Sequence, residues 1–268
     1  MFDPQSVPAS LRDARDPIAA RIEDASLSVA QPSQQSFFDG WVLRYSAGKA
    51  KRARSINAIG AGVLSLPEKF AYCVDFYARH RLPCLFRITP FSRPDSLDRA
   101  LDVAGFAAYQ DTRVMKVALS EATVPNAPQH DVRVIDVEQF TDALGTLHGL
   151  DAVKAQAERE RFARSAVGGI YLAQFRGDVP IGCGSIAVDG ALAGIFGMVT
   201  AAAHRGRGIA TTLVTELLAH ARNAGAAVAY LQVEADNTPA RRAYAKFGFE
   251  DCYAYWYRTA PDVSTHHA

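Results

Sequence analysis

The sequence lacks the features of a disulfide-stabilised, metal-binding or membrane protein. Its four cysteines, Cys73, Cys84, Cys183 and Cys252, form no CxxC pair and no short cluster with histidine at metal-ligand spacing. No stretch approaches the roughly 18 apolar residues of a membrane span, and the N-terminal stretch MFDPQSVPASLRDARDP has no apolar signal core. We therefore expect reduced thiols, no metal, no membrane contact and a cytoplasmic location.

An excess of one charge is also missing. The chain has 29 Lys plus Arg against 28 Asp plus Glu, which argues against wholesale binding to nucleic acid. Hydrophobic residues make up 49% of the 268 positions, a value typical of a soluble globular protein with one or two domains. Any charge-driven site must therefore be local.

A stretch with two prolines and no periodicity, SEATVPNAPQHD, divides the chain. We predict an N-terminal domain over residues 1–119, a linker at 120–130, a C-terminal domain over 131–260 and a tail at 261–268. In the first domain, FFDGWVLRYS and RARSINAIG are predicted to be two strands joined near Gly48.

The second domain shows a longer alternation of elements. Residues 136–165 are predicted to be mostly helical, and three strands at hairpin spacing, GGIYLAQF, IGCGSIAV and ALAGIFGMV, follow. A long helix, a buried strand, a short helix and a final strand complete the domain. The fold class is therefore α/β, with a mixed sheet of the α+β kind.

Two segments of the chain share one arrangement. SLDRALDVAGFAAYQDTRVMKV and TPARRAYAKFGFEDCYAYWYRT both predict a short helix, a Gly-Phe pair and a long strand, with Leu101 and Tyr244 each four residues before the glycine. Generic α/β units could produce such similarity by chance, but we interpret the halves as tandem copies of one fold. GVLSLPEKF in the first copy stands where the second has RGRGIA, so only the second copy should bind a ligand that needs that loop.

The segment HRGRGIATTL places two glycines and two arginines just before a helix. A helix N-terminus has unpaired amides and a partial positive charge, and glycine lets an anion approach the backbone. The segment has no P-loop lysine, and it follows hairpin-spaced strands rather than opening a βαβ unit, which excludes the dinucleotide fingerprint. On spacing alone, a surface turn and a cradle for the diphosphate of coenzyme A both remain open.

Two motifs together resemble the GCN5-related N-acetyltransferase (GNAT) family. The family's signature loop, Gln/Arg-x-x-Gly-x-Gly/Ala, is matched by Arg205, Gly208 and Ala210. The family's second motif runs from an asparagine to a Gly-Phe pair and is matched by Asn237, Ala240, Tyr244, Gly248 and Phe249. The resemblance covers residues 131–258 well and the first half more weakly, so it implies a two-domain member with tandem acyl-CoA N-acyltransferase folds and a degenerate N-terminal copy.

The resemblance implies acetyl-CoA as the acyl donor and a direct transfer of the acetyl group to an amine. The main chain of Met198 and Val199 would pair with the pantetheine arm, and Asn237 would either contact that arm or cap its helix. The diphosphate would be held by Arg205, Gly206, Arg207, Gly208, Ile209, Ala210 and Thr211.

Tyr244 is the expected general acid, because a phenol can protonate a departing thiolate. The general base stays open. The position where some family members carry a carboxylate is Gln232, which cannot accept a proton; Glu234, on the same side of the strand, and a water relay are the alternatives. His148, His204, Asp189 and Asp236 are weaker candidates.

The basic run RYSAGKAKRARSINAIG would ordinarily be a solvated face. The alternative is that the run faces an interdomain cleft, where Arg44 is expected to bind a carboxylate of the acceptor. We therefore predict an N-acetyltransferase that acts on a small-molecule amine, as a monomer or a homodimer. A non-catalytic acyl-CoA sensor and a protein lysine or N-terminal acetyltransferase are the alternatives.

Overall fold

A computed structural model describes residues 2–46, 50–123 and 131–260 of the protein. Across these residues, eleven strands form one mixed sheet that has helices on both faces. The strands are β1 (Gln34–Phe38), β2 (Trp41–Tyr45), β3 (Ile56–Asn57), β4 (Leu85–Ile88), β5 (Ala107–Ala118), β6 (Val132–Ile135), β7 (Gly169–Arg176), β8 (Val179–Asp189), β9 (Leu192–Thr200), β10 (Val228–Glu234) and β11 (Glu250–Thr259). The helices are α1 (Ala9–Arg12), α2 (Ala19–Val29), α3 (Leu66–Arg79), α4 (Leu97–Val103), α5 (Val137–His148), α6 (Ala152–Ala163), α7 (Ile209–Asn223) and α8 (Thr238–Ala245).

The two halves of the chain exchange their last strands. The order across the sheet is β1-β2-β3-β4-β11-β5-β10-β9-β8-β7-β6. Strand β5 of the first half pairs with β10 of the second, and β11 of the second half pairs with β4 of the first. Strands β5 and β11 also pair with each other at the centre. The halves therefore share one continuous sheet.

The predicted repeat is visible in the order of the elements. Both β3–α3–β4 and β9–α7–β10 are strand–helix–strand units in which the two strands run parallel. In each half, a short helix and a long strand follow, α4–β5 in the first and α8–β11 in the second. The mixed α/β fold with tandem copies is thus confirmed.

The two faces of the sheet have different coverings. Helix α7 packs on one face through Leu213 and Leu217, which are fully buried against Ile195 and Leu231. Helix α2 packs on the other face against Tyr230 and several aromatic residues of β11. Truncation of a buried leucine such as Leu217 to alanine costs about 2–5 kcal/mol, so this packing fixes where the N-terminus of α7 lies.

The predicted organisation of the first β-segment was wrong. FFDGWVLRYS is a hairpin of β1 and β2, which turns at Asp39 and Gly40 because both residues adopt positive φ angles, 42° and 83°. RARSINAIG contains the end of a 3-10 turn, Lys51–Arg54, and then the two-residue strand β3. The predicted turn at Gly48, most of the linker and the tail lie outside the described residues.

The described residues contain no candidate membrane span, no candidate metal site and no disulfide. No helix there has both the length and the apolar character of a membrane span, and no group of three or more His, Cys, Asp or Glu side chains is arranged to hold a metal ion. All four cysteines are buried free thiols.

Candidate active site between strands β9 and β10

Strands β9 and β10 separate part of the way along the sheet. Their parallel pairing begins at Leu192 with Val228 and ends at Ile195 with Leu231. Beyond that point β9 continues beside β8, and β10 continues beside β5 as far as Glu234. The facing edges of the two strands are therefore not paired with each other past Ile195, and a gap opens in the sheet.

A β-bulge adjusts β9 at the start of this gap. Cys183 of β8 lies opposite Val199 and Ser185 lies opposite Phe196, so Gly197 and Met198 together face one residue, Gly184. Gly197 has a φ of +62°, a conformation that glycine adopts without strain. The bulge sets the direction of Met198 and Val199, which line the cleft described below; their pairing with a pantetheine arm stays a prediction.

The N-terminus of α7 begins next to this gap with its amides unpaired. Gly206 and Gly208 have φ angles of +74° and +83°, and no side chain caps the helix. Within the described part of the chain, no oxygen accepts a hydrogen bond from the amides of residues 206–211. The first accepted amide of the helix is that of Thr212, which donates to the carbonyl of Gly208 at 2.9 Å. These donors all lie at the positive end of the helix dipole.

A cleft of about 660 Å³ joins the helix terminus to the gap. Its described lining contains no Asp or Glu but includes the cations Arg205 and Lys246, so its charge suits an anion. The predicted site residues that line it are Met198, Val199, Arg205, Gly206, Gly208, Ile209, Ala210, Thr211, Asn237 and Tyr244. Arg207 is exposed on the same loop but is not among the lining residues.

Sequence reasoning missed several residues of the cleft. Lys246 and Ala243 follow and precede Tyr244 at the end of α8, and Thr200 ends β9. Their chemical types alone gave no signal. Their positions would have given one, because Thr200 continues the strand through Met198 and Val199, and Lys246 lies two residues after the tyrosine.

Tyr244 lies partly buried in the wall of the cleft. Its ring packs against Phe249 with 6.0 Å between the ring centroids, and its hydroxyl makes no hydrogen bond to any residue that the structure describes. Burial raises the pKa of Tyr244 to about 12, since the charged form would lose hydration. The phenol is therefore protonated at neutral pH.

Asn237 is the N-cap of α8. Its side-chain oxygen accepts a hydrogen bond from the amide of Ala240 at 3.3 Å, as asparagine does at this position. Of the two roles considered for Asn237, the cap is thus present, and the residue also lines the cleft.

The candidates for a general base occupy different environments. Gln232 donates to the hydroxyl of Ser26 at 2.6 Å and accepts from the hydroxyl of Tyr255 at 2.8 Å, so its amide joins β10 to α2 and β11. Glu234 is exposed at the end of β10 and accepts from Gln110 at 2.9 Å.

Two of the four other candidates line the cleft and two do not. His148 and His204 line the cleft, whereas Asp189 is the last residue of β8 and Asp236 lies in the turn that follows β10. Glu234 is not among the residues that line the cleft, so the geometry does not rank it above the two histidines.

Arg44 lies on the opposite face of the sheet from α7. Its side chain is buried, and it donates to the carbonyls of Leu27 and Arg52 at 2.9 and 3.3 Å. Burial, with the nearby Arg87 and Arg52, lowers its pKa to about 10. Arg44 is thus already bound to the backbone, and its expected contact with an acceptor carboxylate stays a prediction.

The mixed sheet, split beside the cleft, has the fold of the solved GNAT proteins described below. Residues 132–249 match the Acetyltransferase (GNAT) family. The second half of the chain is therefore similar to the N-acetyltransferases of this family.

Three similar proteins match this chain beyond its second half. The uncharacterized N-acetyltransferase YobR of Bacillus subtilis (strain 168) is 25% identical over 225 residues, which is 81% of this chain and 89% of the relative. A GCN5-related N-acetyltransferase from Kribbella flavida has a TM-score of 0.67 at 19% identity, over 91% of this chain and 96% of that one. A tandem GNAT protein from the clavulanic acid biosynthesis pathway has a TM-score of 0.58 at 15% identity, over 74% of this chain and 70% of that one.

Proposed function

We propose that the protein transfers an acetyl group from acetyl-CoA to the amine of a small molecule, by direct attack of the amine on the thioester. One observation carries the proposal: the amides of residues 206–211 have no acceptor among the described residues, and they open into a cleft whose described lining has no Asp or Glu and which continues into the gap between β9 and β10. The donors fit a diphosphate, because backbone N–H groups at a helix N-terminus bind such anions without further side chains.

The gap fits the arm that links the diphosphate to the thioester. Pantetheine contains two amide groups, and the free edge of β9 at Met198 and Val199 offers main-chain partners for them. The arm would lie where a paired neighbouring strand is missing, so the thioester would reach the middle of the sheet.

The chemistry requires one bond to form and one to break. The amine nitrogen donates its lone pair to the thioester carbon, the C–S bond breaks, and the sulfur takes a proton from the hydroxyl of Tyr244. Burial raises the pKa of Tyr244 to about 12, and the same loss of hydration would raise the pKa of a thiol leaving group in the cleft. The pKa values of Tyr244 and of the leaving thiol would therefore stay close to each other in the cleft.

The amine must also lose a proton. Gln232 cannot accept it, and its amide is already used on both sides by Ser26 and Tyr255. Glu234 and water are the two routes, and Glu234→Gln distinguishes them: a route through Glu234 predicts a loss of kcat that rising pH restores, whereas a water route predicts an unchanged kcat.

The first half of the chain favours a small acceptor. We propose that residues 1–119 and 131–260 are the two copies and that the first copy covers one side of the gap, where α2 and the Lys51–Arg54 turn pack. A polypeptide acceptor would need an open groove on that side.

A non-catalytic acyl-CoA sensor is the second candidate. The observation that favours it is Gln232, at the position where some members of the family carry a carboxylate, held there by structural hydrogen bonds. The intact Tyr244, with its free hydroxyl facing the cleft, favours the enzyme.

The deciding experiment combines calorimetry with an amine screen. Acetyl-CoA titrated into the full chain should release heat, and a panel of primary amines should include at least one that releases free thiol at steady state. Absence of binding heat would overturn the proposal. Binding without turnover on any amine would support the sensor, and turnover only on peptides would support a protein acetyltransferase.

A further inference from the structure

A short basic turn from the first half lies over the gap, on the face opposite α7. Arg52 is 5.6 Å from the ring centroid of Phe196, and Phe196 is the first residue of β9 beyond the last parallel pair with β10. Lys51 donates a hydrogen bond to Gln110, which in turn donates to Glu234 at the end of β10. The Lys51–Arg54 turn therefore spans the gap from one strand to the other.

The two arginines of this turn have no ion-paired or hydrogen-bonded side-chain partner among the described residues, although the charges of Glu23 and Arg52 attract each other. Neither Arg52 nor Arg54 forms an ion pair or a side-chain hydrogen bond with any residue in ranges 2–46, 50–123 and 131–260. Nη1 of Arg52 and Nε of Arg54 are shielded from solvent without a partner. Unpaired donors of this kind are costly, and a ligand that supplies an acceptor recovers the cost.

The carboxylates nearby already have partners. Glu23 receives two hydrogen bonds from Arg87 and one from the hydroxyl of Tyr253 at 2.7 Å. Glu234 is held by Gln110, and its charge acts on Lys51. Burial lowers the pKa of Lys51; the charge of Glu234 opposes this effect and that of Arg54 adds to it.

The direction from which the amine approaches the thioester gives this surface a role. Helices α7 and α8 cover the face of the sheet where the cofactor cleft lies. An amine that attacks the thioester in the gap has to arrive from the other face, past Phe196 and the basic turn. Arginine is suited to the planar oxygens of a carboxylate or phosphate.

We propose that the acceptor is an amine that also carries a carboxylate or phosphate group, which Arg52 and Arg54 bind. This rests on the proposed acetyl transfer and names the acceptor class of the same site. The expected anion contact moves from Arg44, whose donors are bound to backbone carbonyls, to the turn that begins seven residues later.

Two pairs of amines test the proposal, each pair with one skeleton and a different charge. β-Alanine is compared with β-alaninamide, and O-phosphoethanolamine with ethanolamine, by the initial rate of thiol release. We expect the wild type to favour at least one anionic member by about tenfold or more in kcat/KM, and the pair that shows this identifies the anion. A wild type that prefers the neutral members, or acetylates no anionic member, overturns the proposal.

Variants then assign the preference to the turn. R52Q/R54Q should lose the preference through a rise in KM for the anionic amine, with an unchanged affinity for acetyl-CoA. R52K should retain part of the preference, and R54Q alone serves if the double variant is poorly folded by circular dichroism. R79Q, which removes an exposed cation paired with Asp75 on α3, is the matched control and should change nothing. An unchanged preference in R52Q/R54Q overturns the assignment.

The outcome separates this proposal from the one it rests on. If the wild type binds acetyl-CoA and acetylates neutral amines, the acetyl transfer stands and the acidic acceptor falls. If acetyl-CoA releases no heat on titration, the transfer itself falls.

Discussion

The two halves of the chain contain the same strand–helix–strand unit, but the N-terminus of its helix differs between them. Helix α7 begins at Gly208 with no side-chain cap, and the amides before and after it have no described acceptor. Helix α3 begins after Ser65, which forms a capping box with Glu68. One helix terminus is open to a ligand, and the other is closed by its own side chains.

The closed terminus holds an anion that belongs to the chain. The carboxylate of Asp39 accepts from the amides of Val63 and Leu64 at 2.9 to 3.1 Å, and it pairs with the buried amine of Lys69 at 3.0 Å. In the second half, the corresponding amides face the cleft instead. A fold can therefore keep the hydrogen-bond donors of an anion site while one of its own carboxylates occupies them. The site then no longer binds a ligand, although its geometry is kept.

Replacement of Tyr244 should have the greatest effect on activity. The corresponding residue of the first half is Leu101, which cannot donate a proton. Tyr244→Phe should lower kcat by about a hundredfold and leave the affinity for acetyl-CoA unchanged, since it removes only the proton donor. With a pKa near 12, the phenol stays protonated as pH rises. The wild-type rate should therefore show no loss from Tyr244 below about pH 11.

Tyr72→Phe is the matched control, because Tyr72 is an exposed tyrosine on α3 that stacks on Phe38. It should leave kcat unchanged. Full activity of Tyr244→Phe would remove the residue from the mechanism.

Gly208 carries the next largest effect. Valine at a φ of +83° is strained, so Gly208→Val should displace the amides that follow it and weaken acetyl-CoA binding by about a hundredfold. Gly225, after the other end of α7, has the same φ and open space around it. Gly225→Val should therefore lower stability similarly without changing the affinity, as measured by calorimetry; equal affinity losses in both variants would count against the cradle.

Sequence reasoning succeeded where the signals are local. A glycine-rich loop before an apolar helix, and a helix–Gly-Phe–strand unit seen twice, depend on neighbouring residues, and both were found in the structure. The Asp39-Gly40 turn was also a local signal, and it was overlooked inside a longer apolar run.

Long-range contacts could not be predicted in this way. The exchange of β5 and β11 depends on pairing across more than a hundred residues, and the partners of Arg44 and Gln232 come from α2. Nothing in the sequence around Val63 indicates that Asp39 accepts from its amide. The chemical type of a residue therefore predicted its candidate role, whereas its partners decided whether the side chain was available.

Replacement of Asp39 tests whether its carboxylate stabilises the fold at the closed terminus, and we expect a moderate effect on Tm. The amide of Val63, followed by Lys69 and Leu64, lowers the pKa of Asp39 despite partial burial. A lowered pKa stabilises the fold above the unfolded value, near 4, and this stabilisation is lost as pH falls through the folded pKa. Asp39→Asn should therefore lower Tm by several degrees at pH 7, with a difference from wild type that shrinks in acid.

Asp95→Asn, which removes an exposed carboxylate near Arg93, is the control and should leave Tm unchanged. Acetyl-CoA affinity should stay the same in both variants, because the closed terminus is not the binding site. A pH-independent loss of Tm in Asp39→Asn would contradict the electrostatic account.

Arg207 has the smallest expected effect, and it distinguishes binding by the backbone from binding by side-chain charge. The residue is exposed, lies between the two glycines, and does not line the cleft. An exposed charge contributes little because water and salt screen it, so Arg207→Gln should weaken acetyl-CoA binding only about two- to fivefold at low ionic strength. Calorimetry at low and high salt should show this difference disappear as salt rises, while the loss in Gly208→Val persists. If Arg207→Gln instead matched Gly208→Val at every salt concentration, side-chain charge would hold the diphosphate, and the contrast between the open and closed termini would no longer depend on free amides.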